Sequence, residues 1–173
     1  MTTECACPSD YPDWHEQDIN LSGNLVHSLK LPCFLFMPLS YELYVHKQSK
    51  ALEQLELEEQ WTGFVLTRTG FLKGEILCLL KPAQSASRFV KTLDGTSTFR
   101  GYLHNGGIGT IKESTRQLQN QLFDLGRMPK EMFLSYLTCP ACSEKKGGDK
   151  ILILRRWQES QTLSRRIEKQ KER

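Results

Sequence analysis

Nothing in this chain approaches the roughly 18 consecutive apolar residues that a membrane-spanning helix needs. Its richest apolar stretch, Ile76 to Leu80, is five residues long. Met1 to Trp14 carries acids and prolines and lacks a basic-then-apolar order, so it does not have the form of a secretory leader. Without export, the six cysteines are expected as reduced thiols in a cytoplasmic protein. Several catalytic signatures are also missing. Asn105–Gly106–Gly107–Ile108–Gly109 lacks both the Lys–Ser/Thr of a phosphate loop and the spacing of a dinucleotide fingerprint, and there is no G-x-S-x-G elbow or H-E-x-x-H pair. The folded body carries no excess of either charge. Residues 155–173 hold seven basic and three acidic side chains, a net of +4, and the chain as a whole is +3, which leaves 3 − 4 = −1 for the rest. A neutral body argues against a nucleic-acid-binding face and leaves only the basic tail for such a partner.

What is present is a composition of 39% hydrophobic and 25% charged residues, ordinary for a folded globule. Its apolar pattern repeats. Leu29 to Met37 is strand-like, with Pro32 pointing to an edge or bulge. Ser40 is expected to cap a helix whose apolar positions are Tyr41, Tyr44, Val45, Leu52 and Leu55, with Glu42 in its first turn. Strands over Gly63 to Arg68 and Leu72 to Lys81 follow, joined by a turn at Thr69–Gly70. After a Pro/Ala/Ser linker, Pro82 to Ser87, the order recurs. There is a strand over Thr96 to His104, then a helix striped by Ile111, Thr115, Leu118, Leu122 and Leu125 that ends at Gly126, and strands over Met132 to Thr138 and Lys150 to Trp157. The helices start near 41 and 110, and the strands that follow them near 63 and 132, an offset of 69 in both cases. The spacing predicts an α+β fold of duplicated strand–helix–strand–strand units. The expected division is a tail over 1–13, one domain over 14–157 (units 14–86 and 87–157) and a basic tail over 158–173.

This layout is similar to that of the GyrI-like/SOUL superfamily, as are the strings YLHNGGIGTIKESTRQLQNQLFDLG and EMFLSYLTCPACSEKKGGDKILILRRW. The Tyr–x–Thr–Cys–Pro–x–Cys element resembles a subgroup of its stand-alone members, loosely described as hydrolases; Gly107–Ile108 departs from the family's usual Pro or aromatic after the turn glycine. The resemblance implies one antiparallel sheet with both helices on one face and a ligand cleft on the other. It also implies a small lipophilic or aromatic ligand and a carboxylate at the cleft floor, matched here by Glu131.

Glu131 shares a strand face with Phe133, Ser135 and Leu137. Beside apolar walls it could attract a cation or, with a raised pKa, act as a general acid/base; the bland alternative is an exposed strand-end glutamate. Trp61, Phe64, Phe99, Tyr102, Phe133 and Tyr136 fall on strands or their edges, as core residues or as the aromatic lining of a pocket. His104 is a candidate partner for Glu131. Cys139 and Cys142, three apart on a turn, could be inert, redox-active or nucleophilic, or metal-binding. A structural zinc needs about four ligands, and the other close pair is Cys5–Ala–Cys7, with His15 nearby. Accessibility of the loop favours reactivity, so no metal and no cofactor are expected. The leading function is sensing or sequestering a small molecule. Two rivals stand beside it: a hydrolase using Glu131, and a gyrase-inhibitor-like interaction protein.

Overall fold

The computed structural model describes residues 5–172; Met1–Glu4 and Arg173, the extremities of the two expected tails, lie outside the described residues. Among the described residues there are nine strands: β1 Asp18–Asn20, β2 Leu25–Phe34, β3 Met37–Pro38, β4 Val65–Arg68, β5 Lys73–Leu79, β6 Val90–Thr92, β7 Thr98–Asn105, β8 Arg127–Tyr136 and β9 Lys150–Glu159. Three helices accompany them: α1 Tyr41–Gln54, α2 Ile111–Asp124 and α3 Gln161–Lys171. All strand pairings are antiparallel, in the order β1-β7-β9-β8-β4-β5-β2-β3, with β6 also on β2. The expected duplicated units are visible in that order. β2-α1-β4-β5 and β7-α2-β8-β9 each put their third strand in the middle, and the two units meet where β4 adjoins β8.

Period-two alternation assigns each strand residue to a face. On one face, Leu31, Cys33, Val65 and Ile76 pack under Tyr41, Tyr44 and Val45 of α1. On that same face, Leu134, Ile151 and Ile153 pack under Leu118 and Ile111 of α2. Tyr41 and Tyr136, from the two units, touch edge to face at 5.4 Å, so both long helices lie on this side as expected. The opposite face is a larger apolar cluster of Val26, Phe64, Leu66, Leu77, Leu79, Phe99, Phe133, Leu137, Leu152 and Leu154.

Some local expectations change. Ser40 does precede α1, but in a left-handed conformation (φ 53°) with no side-chain cap bond, so the helix starts without the expected cap. Gly126 does end α2, with φ 73° and its N–H bonded to the Phe123 carbonyl at 2.9 Å. β1 and β6, of three residues each, are too short to show a period in the sequence. Residues 5–13, expected as a tail, lie against the body. The backbone of Ala6–Pro8 packs on Gly63, where a Cβ would stand 2.6 Å from the Ala6 carbonyl. The basic tail forms α3, capped by Ser160, whose Oγ accepts from the Leu163 N–H.

Candidate functional site

The face opposite the long helices is where a cleft was expected. Trp61, Phe64, Phe99 and Phe133 do gather there, but as a filled core. Trp14 is the reason. Its ring meets Trp61 at 5.5 Å and Phe64 at 5.8 Å, while Phe99 meets Phe133 at 5.7 Å, all nearly perpendicular. The chain before β1 crosses this face so closely that its backbone at Trp14 occupies the space a Cβ on Gly101 would need. The other two aromatics, Tyr102 and Tyr136, alternate to the helix side, which corrects their expected place in a pocket lining. The Tyr102 hydroxyl donates to Gln117 of α2, and Tyr136 packs on Tyr41. His104 is on that side too. It is buried, with Nδ1 2.8 Å from the Ser114 hydroxyl and Nε2 3.1 Å from that of Thr110, so it holds the start of α2 and does not partner Glu131.

Glu131 does face the apolar side with Phe133. Its carboxylate takes two bonds from the Arg156 guanidinium, Nε at 2.5 Å and Nη2 at 2.9 Å. That pairing, opposed by partial burial, holds the carboxyl below the ordinary glutamate range. The raised pKa imagined for a general acid is therefore replaced by an ionised, anchored carboxylate. A second carboxylate escaped the sequence reading. Glu75 of β5 accepts from the Ser28 hydroxyl, from Lys91 at 2.7 Å and from Arg68 at 3.3 Å. Its burial alone would raise the pKa, yet Lys91, Ser28 and Arg68 together hold it low. The signal for it was available: an acid at alternate spacing within Lys73–Leu79, sharing a face with Leu77 and Leu79.

One opening lies at the junction of the units. β4 pairs with β8 only at Thr67 and Leu134, and β8 shifts register between Pro129 and Met132. The strands part there around a depression of about 420 Å³ lined by Phe36, Arg68, Thr69, Lys130, Glu131, Met132 and Arg155. Arg68 and Arg155 border it from opposite faces of the sheet, and the Nε–H of each is buried without a hydrogen-bond partner among the described residues. Burial also lowers the pKa of Arg155, and the Glu131 charge only partly offsets it.

The cysteine loop gives the largest departure. Cys139 and Cys142 are joined by Cys5 and Cys7, and all four sulfurs lie within 4.8 Å of one another. Cys5 Sγ is 3.3 Å from Cys139 Sγ, which is 3.8 Å from Cys142 Sγ. None of the six cysteines is in a disulfide. The hydrogen bond from Cys5 brings the Cys139 thiol down to about 7, helped by the backbone N–H groups of Cys142 and Ala141 and opposed by burial. Burial first, and then the neighbouring thiols, push Cys7 up. No metal is expected from the accessibility of the Cys139–Cys142 loop, but the fold brings the second pair, Cys5 and Cys7, to it and so gathers four possible ligands.

Among solved structures, three chains match. The crystal structure of the EcmrR C-terminal domain superposes with a TM-score of 0.61 at 12% identity, over 83% of this chain and 96% of that one. The cryo-EM structure of the EcmrR–DNA complex in EcmrR-RPo gives 0.57 at 11% identity, over 83% of this chain and 56% of that one, so this chain spans about half of that protein. At such identity the likeness establishes the fold, and it is the one the sequence resemblance implied. No curated protein sequence matches. A family model described as "Bacterial hydrolase" matches residues 1–157.

Proposed function

Starting from a chain that belongs to the bacterial hydrolase family, we propose that it binds a small lipophilic or aromatic molecule bearing an anionic group, at the junction of its two units. The observation that carries this reading is the pair of buried, partnerless guanidinium Nε–H groups of Arg68 and Arg155 beside Phe36 and Met132. A buried donor left unmade costs about 1–3 kcal/mol, and more when the group is charged. An anion accepting from either would recover that cost at that side chain while its apolar body lies against Phe36 and Met132. Charge supports the same sign: Arg68, Lys130 and Arg155 against Glu131 give 3 − 1 = +2 around the depression. Glu131 is already held by Arg156, which leaves it a weak attractor for a cationic ligand.

The test pairs an anilinonaphthalene sulfonate with a cationic aromatic dye of similar size, each titrated against folded protein. The sulfonate should bind and raise the melting temperature with concentration, as any ligand of the native state does. Arg155→Leu should weaken it about tenfold or more, the scale of one charge-assisted hydrogen bond. Equal or tighter binding of the cationic dye, or an unchanged affinity in Arg155→Leu, rejects the reading.

The family description favours a second reading, hydrolysis at the same junction. There Glu131, ionised and oriented by Arg156, would serve as the base that activates water, by its placement and not by its strength, since the same pairing lowers its basicity. Glu131→Gln should then abolish turnover of an aryl ester while the sulfonate still binds.

A further inference from the structure

We infer that Cys5, Cys7, Cys139 and Cys142 form a structural zinc site that clamps the segment before β1 onto the body. The geometry points to a metal more than to a disulfide. Four sulfurs bound tetrahedrally at about 2.3 Å from zinc stand about 3.8 Å apart. The observed separations of 3.3 and 3.8 Å, with every pair inside 4.8 Å, bracket that edge. A disulfide needs about 2.05 Å between two sulfurs and would leave the other two unexplained. Four thiolates also complete a closed set with no open position, the arrangement of a structural site.

The backbone is shaped for the same task. Cys139–Pro140–Ala141–Cys142 is a tight turn in which the Cys142 and Ser143 N–H groups donate to the Cys139 carbonyl at 3.0 and 2.9 Å. The Cys139 N–H is 3.3 Å from Cys142 Sγ, placed to donate to a thiolate. The Lys146 ammonium bonds the Pro8 carbonyl at 2.7 Å and the Leu137 carbonyl at 3.4 Å, tying the two cysteine segments together just outside the sulfurs. The Ala6–Pro8 backbone lies on Gly63, whose lack of a side chain admits it. Cys142 is buried and Cys5 exposed, so the site sits at the rim of the body and is open to an incoming ion.

Binding releases the thiol protons to solvent and places a divalent cation among four thiolates, with no change of oxidation state. Its structural effect is to fix the first ligand segment, and through it to hold Tyr11 and Trp14 over the apolar face. This is independent of any ligand at the junction of the units.

The full chain, purified without added metal or chelator, should contain one zinc per monomer by elemental analysis. Replacement with cobalt(II) should give the intense visible absorption of tetrahedral thiolate coordination. A chelator should lower the melting temperature and speed proteolysis before Trp14, because ligation energy is folding energy. Each of Cys5→Ser, Cys7→Ser, Cys139→Ser and Cys142→Ser should weaken zinc binding at least about tenfold, the scale lost even when an outer-shell partner of a ligand is removed. Cys78→Ala, buried elsewhere, should leave binding intact. Because a variant could fail to fold, the cobalt spectrum of the unaltered chain decides. A spectrum without tetrahedral thiolate bands, stoichiometric iron in place of zinc, or a mass showing disulfides among the four cysteines would overturn the inference.

Discussion

His27 is enclosed between β2 and α1. The Gln48 amide lies 3.1 Å from its Nδ1 and donates to its carbonyl at 3.0 Å, while Nε2 is buried without a partner among the described residues. Burial lowers its pKa below the ordinary 6.5. The sign follows from linkage. Below 6.5 the unfolded chain takes up a proton that the folded chain refuses, so this contribution to stability is complete above 6.5 and is lost as pH falls. Urea unfolding at pH 7.5 and 5.5 should show a loss bounded by about 1.4 kcal/mol per pH unit for one proton. His27→Gln should flatten part of that slope; an identical slope in the variant would mean the ring is not the group responsible. Sequence alone carried part of this detail. The face of Glu131 followed from alternation, but its partner Arg156 is 25 residues away and is set by the β8–β9 register, which the string ILILRRW does not encode. Both cysteine pairs are legible as pairs, but Cys5 and Cys139 are 134 residues apart and no local pattern shows that they meet.

At the level of elements, the β2–β3 hairpin turns through Leu35 and Phe36, both with positive φ (49° and 67°). Such a two-residue turn suits Asn–Gly, and a leucine and a phenylalanine there bear backbone strain. Their side chains are more than half exposed, and Phe36 meets Phe71 of the neighbouring turn at 6.0 Å. The double change Leu35→Asn and Phe36→Gly should therefore raise stability by about 0.5–2 kcal/mol in denaturant unfolding. Because Phe36 lines the depression at the unit junction, the same variant should bind the aromatic sulfonate less tightly. A variant that is neither more stable nor weaker in binding would remove both roles. The long helices and most long strands were legible because each carries enough residues to show its period. The hairpin was read as one run, Leu29 to Met37, since a turn made of Leu–Phe has none of the usual turn residues.

Across the whole molecule, the two units exchange strands. β1, from the first half of the chain, pairs with β7 of the second unit, and β6, from the second half, pairs with β2 of the first. Asp18 of β1 is further held by Arg127 at 2.8 Å and by Arg100 at 3.2 Å. The linker from Pro82 to Ser87 is mostly exposed. A protease site placed at Ala83–Ala86 should therefore yield, after cutting, two fragments that elute together and melt as one unit; separation without denaturant would mean the exchanged strands contribute little. The repeat offset revealed the two units in the sequence, but the exchange depends on strands of three residues and stayed invisible. The position of β1 also bears on how the chain is made. Its partner β7 and the Gly101 backbone that receives Trp14 are synthesised about 80 residues later, on the order of ten seconds at ordinary ribosomal rates. Phe64, Leu66, Leu77 and Leu79 are made late in that interval and precede Gly101 by 37 to 22 residues, so they wait about a few seconds for β7, and a slow stretch of translation before β7 would lengthen their exposure to chaperones and to aggregation.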